Sequence, residues 1–209
     1  MTTQAAASAA VLGFVVFSLL AFGLRSLVHY RRTGTTGFVG LSGRPGSAEW
    51  WGGVLFALAL AAAVAAPLLQ LAGTVSAAAP LVRPAAQWAG GLLYLAGVAG
   101  TLWAQFAMGE SWRIGVDPAA RTALVAAGPF RWVRNPIFTA MSLATVGLAL
   151  LVPNPVSLLA VAALALALEI QVRLVEEPYL TRVHGERYRR YAASAGRFLP
   201  GLGRLQESR

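Results

Sequence analysis

Apolar residues arrive along this chain in long, nearly unbroken runs. The first is Ala5 to Leu24, the second Trp50 to Leu71, and the third runs from about Ala85 to Met108 with Gln87 and Gln105 inside it. Each supplies the roughly 20 residues that a ~30 Å hydrocarbon core requires. Two shorter runs follow, Pro136 to Val152 and Pro155 to Ile170, and the "VPNPV" between them reads as the turn of a tight helical hairpin. At about 1.5 Å per residue each arm spans only ~25 Å, so the hairpin is expected to stop short of the far surface or to thin the bilayer locally. The pattern predicts an all-α, polytopic membrane bundle of about five transmembrane helices. No internal repeat is visible.

Composition agrees. Of 209 residues 57% are hydrophobic and 12% charged, against about 25% charged in a soluble domain. The chain has no cysteine, which removes disulfides and thiolate metal sites, and its two histidines, His29 and His184, stand far apart, so no metal is expected. There is no basic n-region before the first run, so a cleaved signal peptide is not expected.

The net charge of +9 does not point to nucleic acid. Every basic residue is arginine, gathered between the apolar runs and in the tail, as expected at an anionic membrane surface. All but Arg83 fall on one side of a five-helix topology. The positive-inside rule then places the N-terminus outside and the two long loops and the tail in the cytoplasm, most simply of the cell (inner) membrane. Trp50, Trp51, Trp112 and Trp132 mark run boundaries, where interfacial anchoring is the simplest role.

Acidic residues number only eight, and three of them, Glu169, Glu176 and Glu177, surround Arg173 in "EIQVRLVEEPYL". On a continuing helix, Glu169–Arg173 and Arg173–Glu177 are i,i+4 pairs on one face. The stretch is either a charge ladder leaving the membrane, with Pro178 ending or kinking the helix, or a functional site at membrane depth. In "GPFRWVRNPIFTAM", Arg131 and Arg134 precede Asn135, read as an N-cap, and Pro136, a good first helical residue. A helix N-terminus with two guanidinium groups makes an anion site, for a phospholipid phosphate or for a soluble ligand's carboxylate or phosphate. Both ends of the hairpin share one face of the membrane, so arginines and glutamates should meet in one pocket. S-adenosylmethionine presents the matching mixture of carboxylate, ammonium, ribose hydroxyls and sulfonium.

Four pieces then stand in order: "GPFRWVRNPIF", "RLVEEPYL", "HGERYRRY" and "RFLP". As an ordered set, from about Gly91 to Pro200, they resemble the isoprenylcysteine carboxyl methyltransferase and phospholipid N-methyltransferase superfamily of integral membrane enzymes. The resemblance divides the chain into a two-helix membrane region, 1–84, and a methyltransferase core with a cytoplasmic tail, 85–209. It implies a cytoplasmic pocket for S-adenosylmethionine built from Gly128, Pro129, Phe130, Arg131, Val133, Arg134, Asn135, Pro136, Glu176, Glu177 and Tyr188. It implies methyl transfer to a lipophilic substrate drawn from the bilayer, with membrane lipids as the surrounding partners.

Arg173 and Glu177 are the catalytic candidates, an arginine to orient a carboxylate or a carboxylate to serve an amine or phenol. In the loop "MGESWRIGVD", Glu110, Trp112 and Arg113 are candidates for the substrate head group, with Asp117 beside them. The family commonly has histidine where this chain has Asn135, which cannot titrate. "LAGVAG", with Gly97 and Gly100, is a loose match to a glycine-rich family stretch, and small residues there also suit helix packing. Two other readings stand beside this one: an NADPH-dependent enzyme like the membrane sterol reductases, whose bis-phosphate cofactor the glutamate pair would repel, and a non-enzymatic lipid-binding protein.

Overall fold

Thr2 opens the first helix, its hydroxyl accepting a hydrogen bond from the Ala5 amide at 3.2 Å. The computed structural model describes residues 1–38, 40, 42–113 and 123–205, so Asp117, Arg121 and Arg209 lie outside the described residues. Helix α1 spans Thr3–Thr33, with a π-helical turn at Leu19–Leu24, and ends at Gly34, whose φ of 76° suits glycine. Ser47 caps α2, Ala48–Leu71, by accepting from Trp50 N at 3.2 Å. Helix α3 is Pro84–Ala107, α4 is Pro136–Leu151, α5 is Pro155–His184, and a short α6, Glu186–Ser194, follows. The chain is an all-helical membrane bundle. Among the described residues α1, α2 and α5 are long and apolar enough to cross a membrane; α4 is apolar but has 16 residues, and α3 has 24 with Gln87, Thr101 and Gln105 buried along it.

The hairpin forms where "VPNPV" places it. Asn154 Oδ1 accepts from Ser157 N at 3.0 Å while Ser157 Oγ accepts from Asn154 N at 3.1 Å, a reciprocal cap for α5. The Asn154 Nδ2 group also donates to Ala66 O of α2 at 3.0 Å, and Gln70 Nε2 donates to Thr3 O at 3.2 Å. These bonds tie α1, α2 and the hairpin together at one pole. Arg83 sits in the segment that reaches this pole, where Ala78 N donates to Pro153 O at 2.6 Å.

The second hairpin arm corrects the short-arm expectation. α5 has 30 residues, about 45 Å of helix, and passes through Pro178 without ending. A π turn at Gln171–Glu176 comes first, and the α-helical geometry restarts at Glu177. Pro178 therefore occupies a first turn, where its missing N–H costs little.

Small residues set the closest approach in the bundle. A Cβ built on Gly97 of α3 would lie 2.4 Å from Ala144 N of α4, and one on Gly147 would lie 2.5 Å from Tyr94 N, so the two backbones touch. Gly97 thus packs helices. α1 covers this pair through Ala7, Ala10, Phe17 and Ala21 against Tyr94, Met141 and Leu148, and α2 meets α5 through Ala59, Leu164 and Leu168. Leu12, Leu19, Leu92, Leu95 and Leu159, each 63–68% exposed, form the outward belt a hydrocarbon solvent would wet.

Candidate functional site

The site is assembled where the chain leaves α5 and returns to the segment before α4. Gly128–Arg131 makes a single 3-10 turn, and Val133 then forms a parallel bridge with Gly196. Gly196 N donates to Trp132 O at 3.1 Å, Arg134 N to Gly196 O at 2.7 Å, and Asn135 N to Arg197 O at 3.2 Å. A Cβ on Gly196 would lie 1.9 Å from Leu199 O, so only glycine fits this crossing. "RFLP" is thereby stitched to "RWVRNP".

Arg134, 6% exposed, spends its guanidinium on that junction. Its Nη1 donates to Ala192 O and Ala195 O at 2.9 and 2.6 Å; its Nη2 donates to Glu177 Oε1 at 2.5 Å and Gly203 O at 3.0 Å. Arg197 takes the same carboxylate from the other side, Nε to Oε1 at 2.8 Å and Nη2 to Oε2 at 2.9 Å. Two guanidinium groups on one buried carboxylate leave both Glu177 oxygens engaged. The Glu177 hydrogen bond also holds Arg197 more firmly protonated than an ordinary guanidinium. Tyr191 Oη donates to Phe130 O at 2.6 Å, and burial pushes its phenol up to about 12; burial, then the nearby Glu177 charge, raises Tyr188 as well.

The expected Arg173–Glu177 pair does not form. Two arginines from outside this helix, Arg134 and Arg197, take the Glu177 carboxylate instead. Arg173 pairs with Glu169 on an exposed surface, outside the cavity wall, while Glu177 faces Arg134 and Arg197. Asn135 holds the N-cap position but does not cap with its side chain: Nδ2 turns away to donate to Arg197 O at 3.1 Å. The α4 N-terminus is left without a side-chain cap.

Beside this junction lies a cavity of about 590 Å³, within the range of small-molecule sites. Of the residues expected to bind, Trp112, Arg113, Phe130, Arg134, Asn135, Pro136, Glu176, Glu177 and Tyr188 line it. Gly128, Pro129, Val133, Arg131, Glu110 and Arg173 do not. Pro129 and Val133 are buried supports of the turn; Gly128 bends it at a φ of 59°. Arg131 is exposed, stacked over Trp132 at 5.1 Å, and Trp132 in turn meets Trp103 at 5.9 Å. Glu110 is exposed. Trp112, 2% exposed, is held between Arg25, 4.5 Å above its ring, and His29 at 5.6 Å. Arg25 Nη2 also donates to Gly109 O at 2.6 Å, fastening α1 to the loop after α3.

Most of the wall comes from residues that sequence reasoning passed over. Phe22 of α1, Glu49, Gly52, Phe56 and Leu60 of α2, and Gln105, Gln171 and Tyr191 all line the cavity. Tyr191 carried a signal, as the second tyrosine of "HGERYRRY". Glu49 carried a weaker one, as one of eight acidic residues in an arginine-rich chain.

A family model for phospholipid methyltransferase matches residues 85–187. No curated protein and no solved structure matches the chain. The matched span takes in α3, the "GPFRWVRNP" segment, the hairpin with Glu176 and Glu177, and the first residues of α6. Through residues 85–187 the chain belongs to the phospholipid methyltransferase family, among the membrane methyltransferases related to the isoprenylcysteine carboxyl methyltransferases.

Proposed function

We propose that the protein is a membrane methyltransferase that uses S-adenosylmethionine to methylate a lipophilic acceptor drawn from the bilayer. One observation carries the reading: a single cavity is walled by the acidic and aromatic groups of the methyltransferase domain and by the apolar faces of α1 and α2. Among the described residues Glu176 enters that wall with a 3.4 Å hydrogen bond from Gln171 Nε2 and no arginine. Such a carboxylate suits an ammonium or a sulfonium. The α4 N-terminus, with no side-chain cap, borders the cavity at Asn135–Phe138 and offers backbone donors to a carboxylate. Phe130, Tyr188 and Tyr191 give flat apolar surface for a nucleobase.

When bound, S-adenosylmethionine supplies an electrophilic methyl group on sulfur. What remains for the protein is to align the acceptor and keep water out. Glu177 holds the tail over the site through Arg134 and Arg197, and the apolar wall of Phe22, Phe56 and Leu60 receives the hydrocarbon part of the acceptor. The arginine-rich pole opens to the cytoplasm, with the N-terminus outside, by the positive-inside rule.

The test is calorimetric titration of S-adenosylmethionine into the protein in lipid nanodiscs, paired with transfer of a labelled methyl group to a lipid extract. Saturable binding and label in the lipid phase are expected. No binding at about millimolar concentration, where the free energy available falls to about 4 kcal/mol, overturns the proposal.

A further inference from the structure

The matched family domain begins at residue 85, yet α2 sends one face into the same cavity. Glu49, Gly52, Phe56 and Leu60 stand at i, i+3, i+7 and i+11, one stripe of the helix, and all four line the wall. The stripe covers about 16 Å along the axis, from a carboxylate in the first turn to hydrocarbon side chains deeper in the bundle. At its polar end, a Cβ on Gly52 would lie 3.1 Å from Gln171 Oε1, and Gln171 Nε2 is the group that holds Glu176. The first turn of α2 therefore abuts the Glu176 corner of the cavity. Gly43, at a φ of 83°, crosses above with bare backbone; a Cβ there would lie 3.1 Å from Glu49 Oε2.

The charges of the wall are unevenly spent. Arg134 and Glu177 satisfy each other, and Arg113 has partners of its own. Among the described residues the Glu49 carboxylate has no ion pair and no side-chain hydrogen bond. We infer that Glu49 is the group that accepts the proton of the methyl acceptor, and that the acceptor is a lipophilic phenol or enol whose hydroxyl sits at Glu49 and whose hydrocarbon lies along Phe56 and Leu60. This rests on the methyltransferase reading above and narrows it.

The chemistry separates three acceptor classes. A carboxylate acceptor would face an unpaired like charge. An amine beside a carboxylate is held as ammonium, its lone pair occupied by the proton. A hydroxyl donates a hydrogen bond to the carboxylate, and its proton becomes strongly acidic as the new bond to oxygen forms, so a weak base suffices. In the step, the O–CH₃ bond forms as the S–CH₃ bond of a sulfonium donor breaks. The S–C electron pair stays on sulfur, giving a neutral thioether, and the hydroxyl proton passes to Glu49 and then to water.

The experiment uses the full chain in nanodiscs with three probes of similar shape, 4-nonylphenol, 4-nonylbenzylamine and 4-nonylbenzoic acid, and S-adenosylmethionine as donor. Binding of S-adenosylhomocysteine is measured separately. Wild type is expected to methylate the phenol in preference to the other two. Glu49→Gln should bind S-adenosylhomocysteine within about two-fold of wild type but lose about 100-fold of phenol methylation at pH 7, recovering as pH approaches the phenol's own pKa of about 10. Glu49→Asp should keep part of the neutral-pH activity. Preference for the benzylamine or the benzoic acid, an unshifted pH profile in Glu49→Gln, or identical behaviour of the Asp and Gln variants overturns the role of Glu49 and leaves the methyltransferase reading standing. Absence of S-adenosylhomocysteine binding by wild type overturns both.

Discussion

Replacing Glu177 with glutamine removes one negative charge from between two guanidinium groups and leaves the shape of the side chain intact. The side chains of Arg134 and Glu177 are 2% and 10% exposed, so water screens the pair little. Breaking a buried ion pair by removing one partner costs about 3–5 kcal/mol, because the remaining charge is stranded. Glutamine keeps one carbonyl oxygen, which can still accept from Arg134 or Arg197, and this argues for the lower end, about 3 kcal/mol. The amide nitrogen must then face the other guanidinium. What is lost is the attachment of the tail, since Arg134 also holds the carbonyls of Ala192, Ala195 and Gly203. About 3 kcal/mol corresponds to roughly a hundred-fold rise in the open population of that segment. Hydrogen–deuterium exchange of the amides of Ala192 to Leu205, in nanodiscs, reads this directly; α3 and α4 amides serve as the internal reference. Arg197→Gln should loosen the same amides by less, because Arg134 still neutralises Glu177. Unchanged protection of the tail in Glu177→Gln, together with lost methyl transfer, would refute the tail-holding role and make Glu177 a group that acts on the reacting molecules.

Gly97→Leu should abolish correctly folded protein, because its Cβ meets the α4 backbone at 2.4 Å, whereas Gly91→Leu, which meets nothing within 4 Å, should express and elute like wild type on gel filtration. Tyr191→Phe loses the 2.6 Å hydrogen bond to Phe130 O, and a fall in unfolding free energy of about 1 kcal/mol is expected in a denaturant titration. Because burial holds the Tyr191 phenol neutral up to about 12 while an unfolded chain ionises near 10.0, its contribution is complete below pH 10 and is lost as pH rises from 10 towards 12. Thermal scans across that range should show a smaller alkaline loss in Tyr191→Phe. The chain has no cysteine of its own, so Ser194→Cys gives a single exposed thiol on the arginine-rich pole; labelling by an impermeant reagent in intact cells, without permeabilisation, would reverse the proposed orientation.

The helices were legible because each is a local event. Twenty apolar residues need no partner to be recognised, and "VPNPVS" carries its own caps in Asn154 and Ser157. The ordered motifs placed Phe130, Arg134, Glu176, Glu177 and Tyr188 around one space for the same reason: each piece is short and its position in the chain is fixed. The sequence pattern failed where geometry is not local. Arg173 keeps Glu169 while Glu177 goes to Arg134, 43 residues before it, and to Arg197, 20 residues after it, and no residue in "QVRLVE" announces either partner. The Asn135 side chain looked like a cap because its natural competitor, Arg197 O, lies 62 residues away. Glu49 and Phe56 entered the cavity through packing of α2 against α5, which is a property of two faces and is written in neither alone.

The bonds of Arg134 also impose an order of events on synthesis. Its acceptors at Ala192, Ala195 and Gly203 follow it by 58, 61 and 69 residues, and Glu177 by 43. Both arms of the hairpin must therefore be made, and have the opportunity to enter the bilayer, while Arg134 is still charged and solvated at the surface. An arginine in that condition resists being drawn across, which in the proposed orientation keeps its end of α4 on the side where it was made. In that orientation the same side chain would first serve as a topological stop during insertion and only afterwards, once the tail has emerged, close the junction with Glu177 and the tail carbonyls.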